Sequence, residues 1–472
     1  MTSFDLPPSL AEWVELLTQS KVVSATRHIA GASREAWNVD IDSEETAKSG
    51  EASNNLSRKP PRRLFLLRDR GQGAGSEHDA AVLHALKDSA VPVPRVIGSE
   101  ASNGLLLLER IDGRSDFPFV DHDVEFDATA RHLMILTGAL HSIDPRSLEI
   151  PHLTVPDHPS DSAREALKKA RNAASMLGDE IEPFFLFALE WLERKIPEGD
   201  ARCALVHSDM GPGNFLYSEG RVNAIIDWEV AHFGDPMEDL AAIAVRDMAT
   251  PIGHLPTRFA EYEASSGTPI DLERIGYYRA LVLVRNSLMI GLGLAHRPPG
   301  FDVVEMTMYQ TLLIRAAALV ICDCEGIQRP AINPLDPSSE TTMNHARHSL
   351  ARAAQHDLEN IVVPELPPGL AAHRIDGVAR VIATLSHEDS VGAALNQQEI
   401  DDIQDTLNES LTDLALADDR LRMVLGEPSK NTQERDTQWA SYFARRFLRL
   451  GERRRPLMGA LMERLPQPLE DV

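Results

Sequence analysis

The chain is short of cysteine, of positive charge and of long apolar runs. Cys203, Cys322 and Cys324 are the three cysteines among 472 residues. Three thiols cannot build a disulfide framework, and Cys322-Asp323-Cys324 lacks the second ligand pair of a structural zinc site. Against 72 Asp+Glu stand 47 Lys+Arg, a formal net charge of −25. Phosphodiester binding depends on Lys and Arg, so neither nucleic acid nor an anionic membrane is an expected partner. The longest apolar stretches, near 280–295 and 311–322, contain Arg285 and Arg315 and fall short of the ~20 apolar residues that span a bilayer. No basic region followed by an apolar run opens the sequence, so no signal peptide is expected. A reducing, cytoplasmic setting is the expectation.

What is present is ordinary for a globular protein: 43% hydrophobic and 25% charged residues. The length suggests two to four folding units. Residues 1–110 read as a strand-rich lobe. Val22-Val23, Trp37–Ile41, Leu64–Leu67 and Leu105–Leu108 are its apolar segments, and one helix runs from Glu77 to Leu86. Within it, 42–61 has no apolar periodicity and is expected to be a mobile insertion. Residues 111–327 are mainly helical. The stretch 328–339, with Pro330, Pro334 and Pro337, reads as a linker to a C-terminal helical domain over 340–472. There Ile400, Ile403, Leu407, Leu411 and Leu414 repeat at helical spacing, with Gly426 as a natural C-cap. Arg445, Arg446, Arg449, Arg453, Arg454 and Arg455 form a basic stripe, expected to be a solvated helix face pairing with acidic surface rather than an anion or partner site.

Chemistry concentrates in Leu205-Val206-His207-Ser208-Asp209-Met210-Gly211-Pro212-Gly213-Asn214-Phe215-Leu216 and in Ala224-Ile225-Ile226-Asp227-Trp228-Glu229. The apolar segments flank a turn at 218–221 and are expected to pair as a hairpin. That pairing brings Asn214 beside Asp227, with Asp209 on the loop just before. Hard cations such as Mg2+ favour oxygen ligands of this kind and keep water and substrate phosphates as the rest of their shell. Metal-dependent phosphoryl transfer is the reaction class that fits.

His207-x-Asp209-x4-Asn214, Ile226-Asp227-Trp228-Glu229 and Gly234-Asp235-Pro236-x-x-Asp239-Leu240 together resemble the signature of the aminoglycoside phosphotransferase and choline kinase-like family. The look is nearest to acyl-CoA dehydrogenase-associated kinase domains and their free-standing bacterial relatives. The resemblance covers about 15–325. It implies an α+β, two-lobed, protein-kinase-like fold, with a small antiparallel-sheet N-lobe and a mostly helical C-lobe, followed here by the all-α bundle. It implies Asp209 as catalytic base, Asn214 and Asp227 as Mg2+ ligands, His207 as a loop-shaping residue and Asp239 as a helix-borne support of the loop. ATP, or GTP in its place, is the implied donor. The turn bearing Gly31 and Ser33 resembles the nucleotide-positioning turn, and Arg68 falls where a cation clamps phosphates. Either Glu77 or Asp79 is its acidic partner. Glu109, Arg110 and Ile111 match the hinge that meets adenine, and Gly113 the hinge glycine.

The implied activity is transfer of a γ-phosphoryl group to a small-molecule hydroxyl. Residues 241–300 balance six cations against five acids, which does not favour a polycationic acceptor; a hydroxyacyl-CoA or related hydroxylated metabolite fits at least as well. A catalytically silent nucleotide-binding scaffold and an aminoglycoside-modifying kinase are the alternatives. The C-terminal helices make a homo-oligomer a further expectation.

Overall fold

The computed structural model describes residues 5–28, 34–42, 62–70, 75–117, 124–178, 181–199, 202–298, 300–331, 345–367, 369–427 and 432–469. The turn with Gly31 and Ser33, nearly all of the 42–61 insertion and most of the 328–339 linker lie outside the described residues. By contacts the chain forms two compact units. The first comprises 1–155, 203–233 and 260–268; the second comprises 156–202, 234–259 and 269–472. These boundaries differ from the expected ones at 110 and 340, because the C-terminal helices pack with 156–202 and 269–327 in one unit.

In the first unit, helix α1 (Pro8–Thr18) precedes strands β1 (Val22–His28), β2 (Arg34–Ile41) and β3 (Arg62–Asp69). Helix α2 (Gly75–Leu86), β4 (Val96–Glu100) and β5 (Leu105–Glu109) follow. The sheet order is β1-β2-β3-β5-β4, and every neighbouring pair is antiparallel. Its core on one face joins Leu10 and Val14 of α1 to Trp37, Val39, Leu64, Leu66, Leu105 and Leu107. Each such side chain, taken out of water, contributes about 1.5–3 kcal/mol. Leu105–Leu108 are all buried. A strand covered on both faces reads as an unbroken apolar run rather than an alternation. The sequence reading did not include α1 or β4. β4 is an edge strand of intermediate burial, so its alternation is weak.

Helix α3 (Val124–Ser142) leads on, and a short hairpin pairs β6 (Phe215–Ser218) with β7 (Arg221–Ile225). The two turn residues, Glu219 and Gly220, have φ of 51° and 73°, the left-handed pair that matches hairpin twist. Arg114 and Tyr217 exchange backbone hydrogen bonds at 2.9 and 3.0 Å. Gly113 beside them has φ 153°, and a Cβ there would lie 3.0 Å from the Tyr217 nitrogen. That close approach gives Gly113 a packing role at its place in the chain.

In the second unit, α4 (Pro159–Leu177), α5 (Pro183–Arg194), α6 (Met237–Asp247), α7 (Leu272–His296) and α8 (Val303–Cys324) pack together with the C-terminal helices. By length and composition α7 and α8 could cross a membrane, but 50% and 56% of their apolar windows are buried inside the protein. The helical repeat around 400–414 is not continuous. One helix runs Leu370–Leu407 and ends at Asn408, whose φ of 52° is a left-handed cap. A new helix, Leu414–Gly426, begins where the Asp413 side chain accepts from the Ala415 and Leu416 N–H groups.

The basic stripe is not a solvated face. Arg446 and Arg449 reach the buried Glu399 at 2.8 and 2.7 Å, and Arg445 reaches Asp402 at 2.6 Å. None of the three cysteines is disulfide-bonded.

One buried acid in this unit carries a prediction. Burial pushes the Asp247 carboxyl up to about 6, only partly offset by the Ile252 N–H and the Gln467 amide. Its folded value lies above the ordinary 3.8, so protonation favours the folded state. The stabilisation is complete below the unfolded value and is lost as pH rises through the folded one. Asp247→Asn is expected to stabilise the protein at neutral pH by about 1–2 kcal/mol and to flatten its stability between about pH 4 and 6. Denaturation of both proteins across that range checks this; parallel pH profiles would count against it.

Candidate active site

The sequence-predicted residues that carry the chemistry lie in the first unit. The loop after the short strand Ala204–Val206 holds His207, Ser208 and Asp209. His207 is fully buried, and its two ring nitrogens have different partners. The Asp209 N–H lies 3.3 Å from Nδ1, and Nε2 lies 2.9 Å from the Ile226 carbonyl. Since Nδ1 accepts, Nε2 carries the proton and donates, which assigns the neutral tautomer. His207 therefore staples the loop to the far strand of the hairpin. Trp228 packs on it with ring centroids 4.7 Å apart and is fully buried.

Asn214 is the joint of the site. Its Nδ2 donates to the Asp209 carboxylate at 2.8 Å and to the Asp209 carbonyl at 2.9 Å. Its own carbonyl accepts from the Ile226 N–H at 2.9 Å. With the amide nitrogen turned to Asp209, the Asn214 side-chain oxygen is the atom left to meet a cation. Asp227 follows Ile226 directly, so the hairpin sets it beside Asn214. Both Ser208 and Asp227 adopt left-handed backbone, at φ 65° and 68°. Non-glycine residues hold such conformations at a cost of about 1–3 kcal/mol, a cost that clusters at functional sites. A carboxylate and an amide oxygen are the hard donors that suit Mg2+.

The cation–acid pairing differs from expectation. Arg68 does not pair with Glu77 or Asp79. Its Nε donates to Glu35 at 2.8 Å, directly across the sheet, and its guanidinium lies 5.5 Å from the Trp37 ring centre. Glu77 is exposed, whereas Asp79 is buried and bonds Arg34 at 2.6 Å. Arg34 also lies 3.3 Å from Asp69, 3.1 Å from Glu229 and 3.8 Å from Asp227. Burial works against its charge, but the Asp79, Glu229 and Asp227 carboxylates outweigh that and hold the guanidinium above its ordinary value. Burial pushes the Asp79 carboxyl up, and Arg34 opposes the shift.

The sequence reading missed Arg34, Asp69 and Glu229 as one group. The available signal was Arg34 lying just after the Gly-Ala-Ser turn; its partners come from three other segments. His78 also joins the site, its Nε2 donating to the Ala231 carbonyl at 2.8 Å and tying α2 to the loop after Asp227.

At the hinge, the Arg110 N–H donates to the Arg63 carbonyl at 3.1 Å, and its guanidinium meets Asp40 at 2.9 Å. That N–H is therefore engaged within the sheet. The Glu109 carboxylate accepts from the Arg95 N–H at 2.9 Å. Asp239 is fully buried on α6, in the second unit.

Several charges counted in 241–300 are internal. Arg274 bonds Asp235 at 2.8 Å, and Arg279 is buried with its guanidinium on the Gln467 carbonyl at 2.9 Å. Their balance says little about an acceptor.

Comparison with known proteins adds a family. The pattern of the family described as "Phosphotransferase enzyme family" matches residues 46–276. Rat (Rattus norvegicus) "Acyl-CoA dehydrogenase family member 11" is 32% identical over 90 residues, 19% of this chain and 12% of that protein. "Probable acyl-CoA dehydrogenase IBR3" of Arabidopsis thaliana is 28% identical over 209 residues, 39% of this chain and 24% of that protein. The chain thus spans a quarter or less of the length of these relatives. A putative aminoglycoside phosphotransferase from Ralstonia eutropha, of known structure, is 17% identical with a TM-score of 0.48, over 66% of this chain and 95% of that one. The family match bears out the phosphotransferase class read from the catalytic block, and the antiparallel sheet followed by helices agrees with the kinase-like α+β class. The similarity to the phosphotransferase enzyme family thus extends over residues 46–276, just under half of the chain.

Proposed function

We propose that the chain is an ATP-dependent small-molecule kinase that transfers the γ-phosphoryl group to a substrate hydroxyl, with GTP as the alternative donor. The observation that carries this reading is Asn214 bonded to Asp209 at 2.8 Å while its backbone pairs with the strand that delivers Asp227. A proton acceptor and two oxygen donors for a divalent ion then share one small volume.

In this reading Asp209 orients the acceptor hydroxyl and takes its proton as the oxygen–phosphorus bond forms. The bond from the γ-phosphorus to the bridging oxygen breaks, and ADP leaves. Asn214 and Asp227 are the residues that would hold Mg2+, which supplies charge neutralisation at the phosphate oxygens. His207 keeps Asp209 in place through the backbone. The Arg110 carbonyl and Ile111 receive the base. Positioning and fixed charges supply most of the rate.

For the acceptor, a hydroxyacyl-CoA or related hydroxylated metabolite is the first class to try. Its support is similarity to relatives named as acyl-CoA dehydrogenases, over short segments.

The test is a transfer screen with γ-labelled ATP against hydroxyacyl-CoAs, amino alcohols, sugars and aminoglycosides, with and without chelator. Label should move to one class, and the transfer should vanish with EDTA and return with Mg2+. Nucleotide binding without transfer to any class would favour the scaffold alternative.

A further inference from the structure

The sheet register decides which cation faces the catalytic hairpin. Along β3, Leu64, Leu66 and Arg68 alternate onto one face. Leu64 and Leu66 on that face pack with α1 and Trp37, and Arg68 lies over the Trp37 ring, bound to Glu35. The opposite face carries Asp69, and the residue directly across from Asp69 on β2 is Arg34. On this face Arg34 meets Asp79 of α2 together with Asp227 and Glu229.

We infer that Arg34, and not Arg68, is the cation that binds the nucleotide phosphates. This rests on the kinase reading above. Three observations carry it. The Arg34 side chain is only 7% exposed and lies 3.8 Å from Asp227, whose side chain is 40% exposed. Its Nε and Nη2 are buried without an aligned hydrogen bond, although Asp69 and Glu229 lie within ion-pair distance. Guanidinium N–H groups in that condition gain from a phosphate oxygen, which accepts charge-assisted bonds in the planar fork geometry. Lastly, Gly75 at the start of α2 leaves the room this guanidinium uses, since a Cβ there would lie 3.2 Å from Nη2. The acid on α2 thus keeps a cationic partner, supplied by β2 in place of β3.

The experiment measures Mg2+-dependent binding of ATP and, separately, of adenosine by calorimetry on the full chain. Arg34→Gln is expected to weaken ATP about 10- to 100-fold, the size of a lost charge-assisted contact, with adenosine unchanged. Arg34→Lys is expected to restore part of the loss. Arg68→Gln, on the half-exposed α1 face, is expected to stay within about threefold of wild type for both ligands. Adenosine binding separates a phosphate contact from a general structural effect. The inference is overturned if Arg34→Gln binds ATP as wild type does, if it loses adenosine to the same extent, or if Arg68→Gln takes the ATP loss. Where Arg34→Gln does not fold, Arg34→Lys, which keeps the charge but not the planar fork, carries the test, and loss of ATP and adenosine together in it would overturn the inference. A wild-type chain that binds no ATP would instead overturn the kinase reading and this inference with it.

Discussion

Asp209→Asn is expected to lower kcat by about 10²- to 10⁴-fold, the usual contribution of a positioned general base, with ATP affinity within threefold of wild type. The geometry makes this a clean substitution. The Asn214 amide donates to one Asp209 side-chain oxygen at 2.8 Å, and asparagine keeps an oxygen to receive it. The backbone contact from the Asp209 N–H to His207 at 3.3 Å does not involve the side chain at all. The loop should therefore hold its shape while losing its proton acceptor. Steady-state kinetics with the acceptor found in the screen, together with nucleotide titration, measures both quantities. Wild-type turnover in this variant would remove Asp209 from the role given to it.

Glu399→Ala is expected to cost about 1–3 kcal/mol of stability, the penalty for leaving buried donors short of an acceptor, since Arg446 keeps Glu182 and Asp418 and Arg449 keeps Asp402. Glu399 is 7% exposed and accepts from Tyr442 at 2.6 Å, Arg446 at 2.8 Å and Arg449 at 2.7 Å. Burial raises its carboxyl, but the Arg446 and Arg449 guanidiniums and the Tyr442 hydroxyl outweigh that and hold it below the ordinary 4.5. The stabilisation it contributes is therefore present above the unfolded value and is lost as pH falls through the folded one. Urea denaturation at neutral pH reads the effect, and Glu399→Gln, which keeps the shape without the charge, should fall between. A loss below about 1 kcal/mol would place this network with exposed ion pairs.

The catalytic block was legible because its parts are close in sequence. Asp209 to Asp227 is a loop, a two-residue turn and two short apolar segments, and local pairing alone brings Asn214 to Ile226. Leu105–Leu108 was legible for a similar reason, since an unbroken apolar run marks a strand buried on both faces. The break at Asn408 was not, because the apolar spacing continues through it, and the cap at Asp413 interrupts the helix without interrupting the pattern. The arginine stripe pairs with acids as expected, but its burial is not legible, because the partners Glu399, Asp402 and Glu388 lie on another helix some 40–65 residues earlier.

Composition and local motif by themselves determined that this chain is acidic, poor in cysteine and equipped with a phosphotransferase-type loop and hairpin. Tertiary structure alone decided which arginine lies beside that hairpin. Arg34 and Arg68 are both strand residues next to an acid or an apolar run, and nothing in their neighbours separates them. The pleat turns one toward α1 and the other toward Asp79 and Asp227. A side chain's face follows from strand register, and register is set by pairing between segments far apart in the chain.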